Sequence, residues 1–124
     1  QPGVPTVVVS HSLGTVVAYN LLKNKGSALG WEVQLFVTLG SPLAVTKIKQ
    51  MITPIGHPAC VKKWFNAMDE RDIVALYPLS KKYFQVAPQI ENKTDVQNPT
   101  ENRHGISGYL GDPEVARRVH AALT

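Results

Sequence analysis

The stretch Val7-Val8-Val9-Ser10-His11-Ser12-Leu13-Gly14-Thr15-Val16-Val17-Ala18-Tyr19 constrains the chain more than any other. It begins as an unbroken apolar run rich in β-branched residues. That predicts a strand buried on both faces, as in a parallel sheet covered by helices. The apolar spacing then changes with no loop between. Leu13, Val16, Val17 and Leu21 fall at i, i+3, i+4 and i+8, one face of a helix expected from Leu13 to about Lys23. Ser12 stands at the apex of this turn. So abrupt a passage from strand to helix strains the apex backbone and pushes its side chain out above the sheet. The residues two before and two after the apex approach each other and must be small; here they are Ser10 and Gly14.

Ser10-His11-Ser12-Leu13-Gly14 resembles the nucleophile elbow of the α/β-hydrolase superfamily, in its lipase and serine-esterase branch, with S-x-S-x-G replacing the usual G-x-S-x-G. The resemblance covers only the C-terminal half of that fold, from the elbow strand to the last helix. In the family several strands and helices precede the elbow, whereas here Gln1 to Pro5 is turn material. Three expectations follow. The fold is α/β, a mostly parallel sheet of about four strands with flanking helices, a partial α/β-hydrolase fold. The chain is one piece of a longer protein. The outer edge of the elbow strand is unpaired and apolar, so the chain pairs with an N-terminal segment it lacks or self-associates.

Composition sets the outer limits. A chain of 124 residues is normally one domain, 1–124, and buries about two-thirds of its extended surface. A hydrophobic fraction of 44% against 18% charged predicts a folded chain, not a disordered one. No apolar run approaches the roughly 20 residues that span a bilayer, so no transmembrane segment is expected. Cys60, the sole cysteine, excludes an internal disulfide and leans towards a reducing, cytoplasmic setting. The net charge of +4 sits partly in Lys62-Lys63 and Lys81-Lys82, without an aromatic-basic array. These read as solvated strand ends and argue against nucleic-acid binding. No repeat or metal-ligand spacing is present. His11, His57, His104 and His120 are too scattered for a zinc site, so neither a metal nor a cofactor is expected.

Further along, Asn24-Lys25-Gly26 stops the first helix, with Gly26 as a left-handed cap. Trp31 to Leu39 predicts a second strand, ended by Gly40-Ser41-Pro42. Thr38 to Leu43 is also similar to the segment that borders the acyl pocket in lipase-like hydrolases. Ala44 to Ile52 reads as a short helix with Val45, Ile48 and Ile52 inward, and His57 as a surface loop histidine. Val61 to Met68 predicts a third strand, followed by the polar turn Asp69-Glu70-Arg71-Asp72 and apolar packing from Ile73 to Leu76. Lys82 to Ile90, centred on Tyr83-Phe84-Gln85-Val86, predicts a fourth strand near an edge. Glu91 to Arg103 reads as a long surface loop. The last helix begins after Gly111, capped by Asp112 with Pro113 at its first position. Its buried stripe is Val115, Val119 and Leu123, with Arg117 and Arg118 facing water.

The resemblance implies a Ser-His-Asp triad. In open α/β sheets working groups gather beyond the carboxyl ends of the strands. The family's acid follows the strand after next, often as Asp-x-Val, and Asp72-Ile73-Val74 matches this better than the competing Asp69; Asp72 also suits an N-cap. His104 stands between the last strand and the last helix, where the family places its base. His11 is expected to point away from the apex, and His120 lies inside the last helix. The order Ser12, Asp72, His104 is that of the family. The implied chemistry is hydrolysis of a small-molecule carboxylic ester: His104 takes the Ser12 proton, Asp72 orients His104, and the Leu13 backbone N–H stabilises the oxyanion. The family's second oxyanion donor comes from a segment outside this sequence. The isolated chain is therefore expected to be slow or inactive, since one donor is worth roughly a hundredfold to a thousandfold. Two other readings remain: a non-catalytic, hydrolase-like pairing module, and an acyltransferase using the same three residues.

Overall fold

The structure, a computed structural model, describes residues 4–124. Four strands, β1 (Val7–His11), β2 (Val33–Leu39), β3 (Val61–Ala67) and β4 (Glu91–Lys93), form one sheet in the order β1-β2-β3-β4, every pair parallel. The helices are α1 (Gly14–Leu21), α2 (Thr46–Met51), α3 (Ile106–Leu110) and α4 (Pro113–Leu123). This is an α/β fold with both faces of the sheet covered.

Period-two alternation divides the apolar residues between two cores. Phe36 of β2 and Trp64 of β3 point to one face and meet Tyr19 and Leu22 from the first helical segment and Phe84 from the loop before β4. Leu35, Val37 and Leu39 of β2 and Phe65 of β3 point to the other and meet Tyr109 of α3 and Val115 of α4. Polar side chains stitch the first face together. The Trp64 indole N–H donates to Thr38 Oγ1 at 3.0 Å, and Thr38 Oγ1 donates to Asn66 Oδ1 at 2.7 Å. Asn66 Nδ2 donates to Asn92 Oδ1 at 3.0 Å, so each polar side chain of this row has a partner.

The fourth strand is not where the apolar alternation put it. Lys82 to Ile90 is turn and irregular backbone, and β4 is Glu91–Lys93, inside the predicted loop. Phe84 and Val86 are buried as anchors, but Pro88 has no N–H for a ladder. Asn92 fastens β4 instead, accepting from Leu79 N–H and donating to Leu79 O, each at 2.9 Å. The rest of the predicted loop is also built: Val96 and Asn98 are buried, Glu101–Arg103 makes a 3-10 turn, and α3 follows.

Smaller corrections share one cause, that apolar spacing names a face without saying what covers it. Leu13 and Val17 are each 62% exposed and Leu21 47%, whereas Thr15, Tyr19 and Leu22 turn inward. The first helix continues past α1 as a π-helical turn, Leu22–Gly26. Gly26 is not left-handed; its Cα lies against the Cys60 side chain, where a Cβ has no room. Trp31 lies outside β2 and is exposed. Between Ile73 and Leu76 only Ala75 is buried, and Leu123 is exposed at the end of α4. Arg118 does not simply face water: its guanidinium lies 4.4 Å from the Phe65 ring centroid and pairs with Glu91 at 2.9 Å. Asp112 caps α4 as its sequence predicts, accepting from Glu114 and Val115 N–H.

Among the described residues no helix is long and apolar enough to cross a membrane, and no group of three or more His, Cys, Asp or Glu side chains is placed to hold a metal ion.

Candidate active site

The turn from β1 into α1 is as tight as the sequence demands. Ser12 has φ 59°, a left-handed backbone that serine rarely adopts. Hydrogen bonds hold it there. Ser12 N–H donates to Leu39 O at the end of β2 at 3.0 Å. Thr15 Oγ1 donates to Ser12 O at 2.7 Å and meets Ser41 Oγ at 2.8 Å. Ser10 fills the position usually given to glycine because its hydroxyl is absorbed by β2, donating to Val37 O at 3.0 Å. Thr15 N–H and Val16 N–H bond back to Ser12 O at 3.0 Å and Leu13 O at 3.1 Å, and the N–H groups of Leu13 and Gly14 stand ahead of them at the positive end of the helix dipole.

Ser12, Asp72 and His104, far apart in the chain, meet beyond the carboxyl ends of the strands. Ser12 Oγ is 2.7 Å from His104 Nε2, and His104 Nδ1 is 2.7 Å from Asp72 Oδ2. The protons follow from chemistry. An ionised carboxylate only accepts, so Nδ1 carries the N–H, and Nε2 is left to accept from the Ser12 hydroxyl. Asp72 is 1% exposed yet fully provided for. Its Oδ1 accepts from Val74 N–H at 2.9 Å and Ala75 N–H at 3.2 Å, so it caps the turn after it as well. Its Oδ2 accepts from His104 and from the Tyr109 hydroxyl at 2.6 Å.

Asp69 does other work. It accepts from Arg71 N–H at 2.8 Å and Asn98 N–H at 3.0 Å, and lies 3.4 Å from the Arg103 guanidinium. Burial disfavours its charge, but these three partners outweigh burial and hold its carboxyl below the ordinary value. Asn98 then builds the His104 loop, donating to Gly105 O at 2.9 Å and accepting from Thr100 N–H at 3.0 Å.

His11 does not point away. Its ring centroid is 4.6 Å from that of His104, and its Nε2 lies 2.5 Å from the His104 carbonyl oxygen. The carbonyl only accepts, so that nitrogen carries a proton and pins the loop. Gly40 is the other residue the spacing did not single out. It has φ 55°, and a Cβ there would lie 2.7 Å from Asp72 Oδ2 and 3.0 Å from His104 Nδ1. Its signal in the sequence was a Gly-Ser-Pro strand stop, which reads as a turn and not as a wall of the site. Tyr109 carried no signal, because its hydroxyl's partners are remote in sequence, and Asn98 read as one more polar loop residue. His57 lies apart, beside the Trp64 ring at 6.0 Å, where burial lowers its pKa; His120 is exposed on α4.

The arrangement can deprotonate a hydroxyl and return the proton to a leaving group on the same side. No family model, curated protein or solved structure matches the chain.

Proposed function

We propose that the chain is a serine hydrolase of the α/β-hydrolase, lipase and esterase type, cleaving carboxylic esters through an acyl-serine. One observation carries this reading: the unbroken relay of 2.7 Å contacts from Ser12 Oγ through His104 to Asp72 Oδ2. Ser12 Oγ attacks the ester carbonyl carbon as its proton passes to His104 Nε2. The C–O bond to the alcohol then breaks, and His104 returns that proton to the departing oxygen. Water repeats the steps to free the acid. Asp72 holds the tautomer and stabilises the imidazolium between them. The Leu13 N–H, at the positive end of α1, faces the developing oxyanion. The reaction as written needs no cofactor, and a single cysteine suits a cytoplasmic setting.

The open edge beside the site would take a further segment or a second copy of the chain. Among the described residues β1 has a partner on one side only, carries no charge or proline along its free edge, and lies beside the exposed stripe Leu13, Val17 and Leu21. The same observation favours the second reading, a pairing module without chemistry.

Incubation with a p-nitrophenyl ester separates the readings. The hydrolase reading predicts alcohol release with a burst and a trapped acyl group on Ser12 by mass spectrometry, both lost in Ser12→Ala. Neither signal from the wild-type chain, at concentrations and times that would reveal a rate roughly a thousandfold below that of a complete oxyanion hole, favours the pairing module. An acyl group appearing on an added alcohol or amine in preference to water identifies acyl transfer.

A further inference from the structure

We propose that Tyr109 is a positioning residue that sets the strength of the Asp72–His104 hydrogen bond by holding the same carboxylate oxygen; its consequence for turnover rests on the ester-hydrolase reading above. Tyr109 is fully buried, in a helix of only five residues, between the second core and the site. Its hydroxyl makes two contacts, to Asp69 N at 3.0 Å and to Asp72 Oδ2 at 2.6 Å.

The direction of the hydroxyl proton is settled by its neighbours. The Asp69 N–H can only donate, so the phenol oxygen accepts there. Its own O–H is then free for one acceptor within reach, Asp72 Oδ2. Burial first, and then the hydrogen bond to Asp72, push the Tyr109 pKa far up, so the phenol stays a donor at any working pH.

Oδ2 therefore divides its charge between two donors, Tyr109 and His104. Hydrogen bonds on one lone-pair oxygen compete: a donor added weakens the other, and a donor removed strengthens it. The carboxylate cannot rotate to escape the competition, because Val74 and Ala75 N–H hold Oδ1. Tyr109 thus keeps Asp72 from gripping the imidazolium too hard, which would hinder return of the proton to the leaving group. The remaining groups facing His104 are Ser12 and the His11 ring, with the Asp69–Arg103 pair behind Tyr109. None of these touches Oδ2.

The test is the proton NMR resonance of His104 Nδ1–H, which needs no turnover and is read equally in a Ser12→Ala background. In Tyr109→Phe the resonance moves downfield, and in an active protein the acid limb of the pH–rate profile moves to higher pH. With 3-fluorotyrosine at 109, a stronger donor of nearly the same size, the resonance moves upfield. The fluorinated protein keeps the test open if Tyr109→Phe does not fold. A resonance that stays in place or moves the opposite way in either folded variant overturns the proposal. Failure of Ser12 to react with an ester while the resonance shifts as stated overturns the hydrolase reading alone.

Discussion

The two sides of the Ser12–His104 contact are built differently. Behind the imidazole, Asp72, Asp69, Asn98 and Tyr109 are buried and bonded to one another and to the loop backbone, so the base and its carboxylate have one arrangement. On the nucleophile's side the turn is equally tight, but it rests on an edge strand and on a helix whose outer stripe is bare. The contrast teaches that the Asp72–His104 pair is organised by local hydrogen bonds, whereas the Ser12 turn is left beside an open strand edge and an uncovered helix stripe.

The comparison can be broken first at its closed side. Asp72→Asn leaves the shape but presents an amide where His104 needs an acceptor, and reaction at Ser12 is expected to fall by roughly ten-thousandfold, read as the rate of acylation. Trp64→Ala, in β3, the strand that leads into the Asp72 turn, is expected to lower stability by about 3–5 kcal/mol in a urea titration. Gly40→Ala pushes a methyl group at Asp72 and His104 from a left-handed backbone. It is expected to remove about 1–3 kcal/mol and most of the activity together.

Asp69 gives the comparison a pH axis. Its carboxyl is more acidic in the folded chain than its ordinary value of 3.8. It therefore contributes stability above that value, and the contribution is lost as pH falls through the lower folded one. Denaturation at several acid pH values is expected to show this loss in the wild type and not in Asp69→Asn. The smallest effect belongs to the open side. Val17→Ser is expected to change monomer stability by less than about 0.5 kcal/mol. It is expected to weaken any self-association seen by sedimentation.

Those unequal effects follow the boundary of what the sequence made legible. The strand at Val7–His11, the strands ending near Leu39 and Ala67, and the capped helix after Gly111 were visible because period, cap and breaker agreed. Residue 12 stood out by the strand-to-helix turn it occupies, and residues 72 and 104 by their order after it, which resembles that of the α/β-hydrolases. Lys82 to Ile90 misled because alternation at Phe84 and Val86 reflects burial alone, while the ladder depends on N–H groups and on Asn92. The roles of Tyr109 and His11 were out of reach for a different reason: each depends on a side chain meeting a partner brought close only by the fold. The exposed stripe on α1 was legible as a face but not as an uncovered one.

The most direct test of the account is the reaction of the intact chain with a fluorophosphonate, followed by mass spectrometry. The account predicts one phosphonyl adduct, on Ser12, absent from Ser12→Ala and strongly slowed in His104→Ala. A Ser12 that stays unmodified even after an exposure roughly a thousandfold longer than a reference serine esterase needs would contradict it.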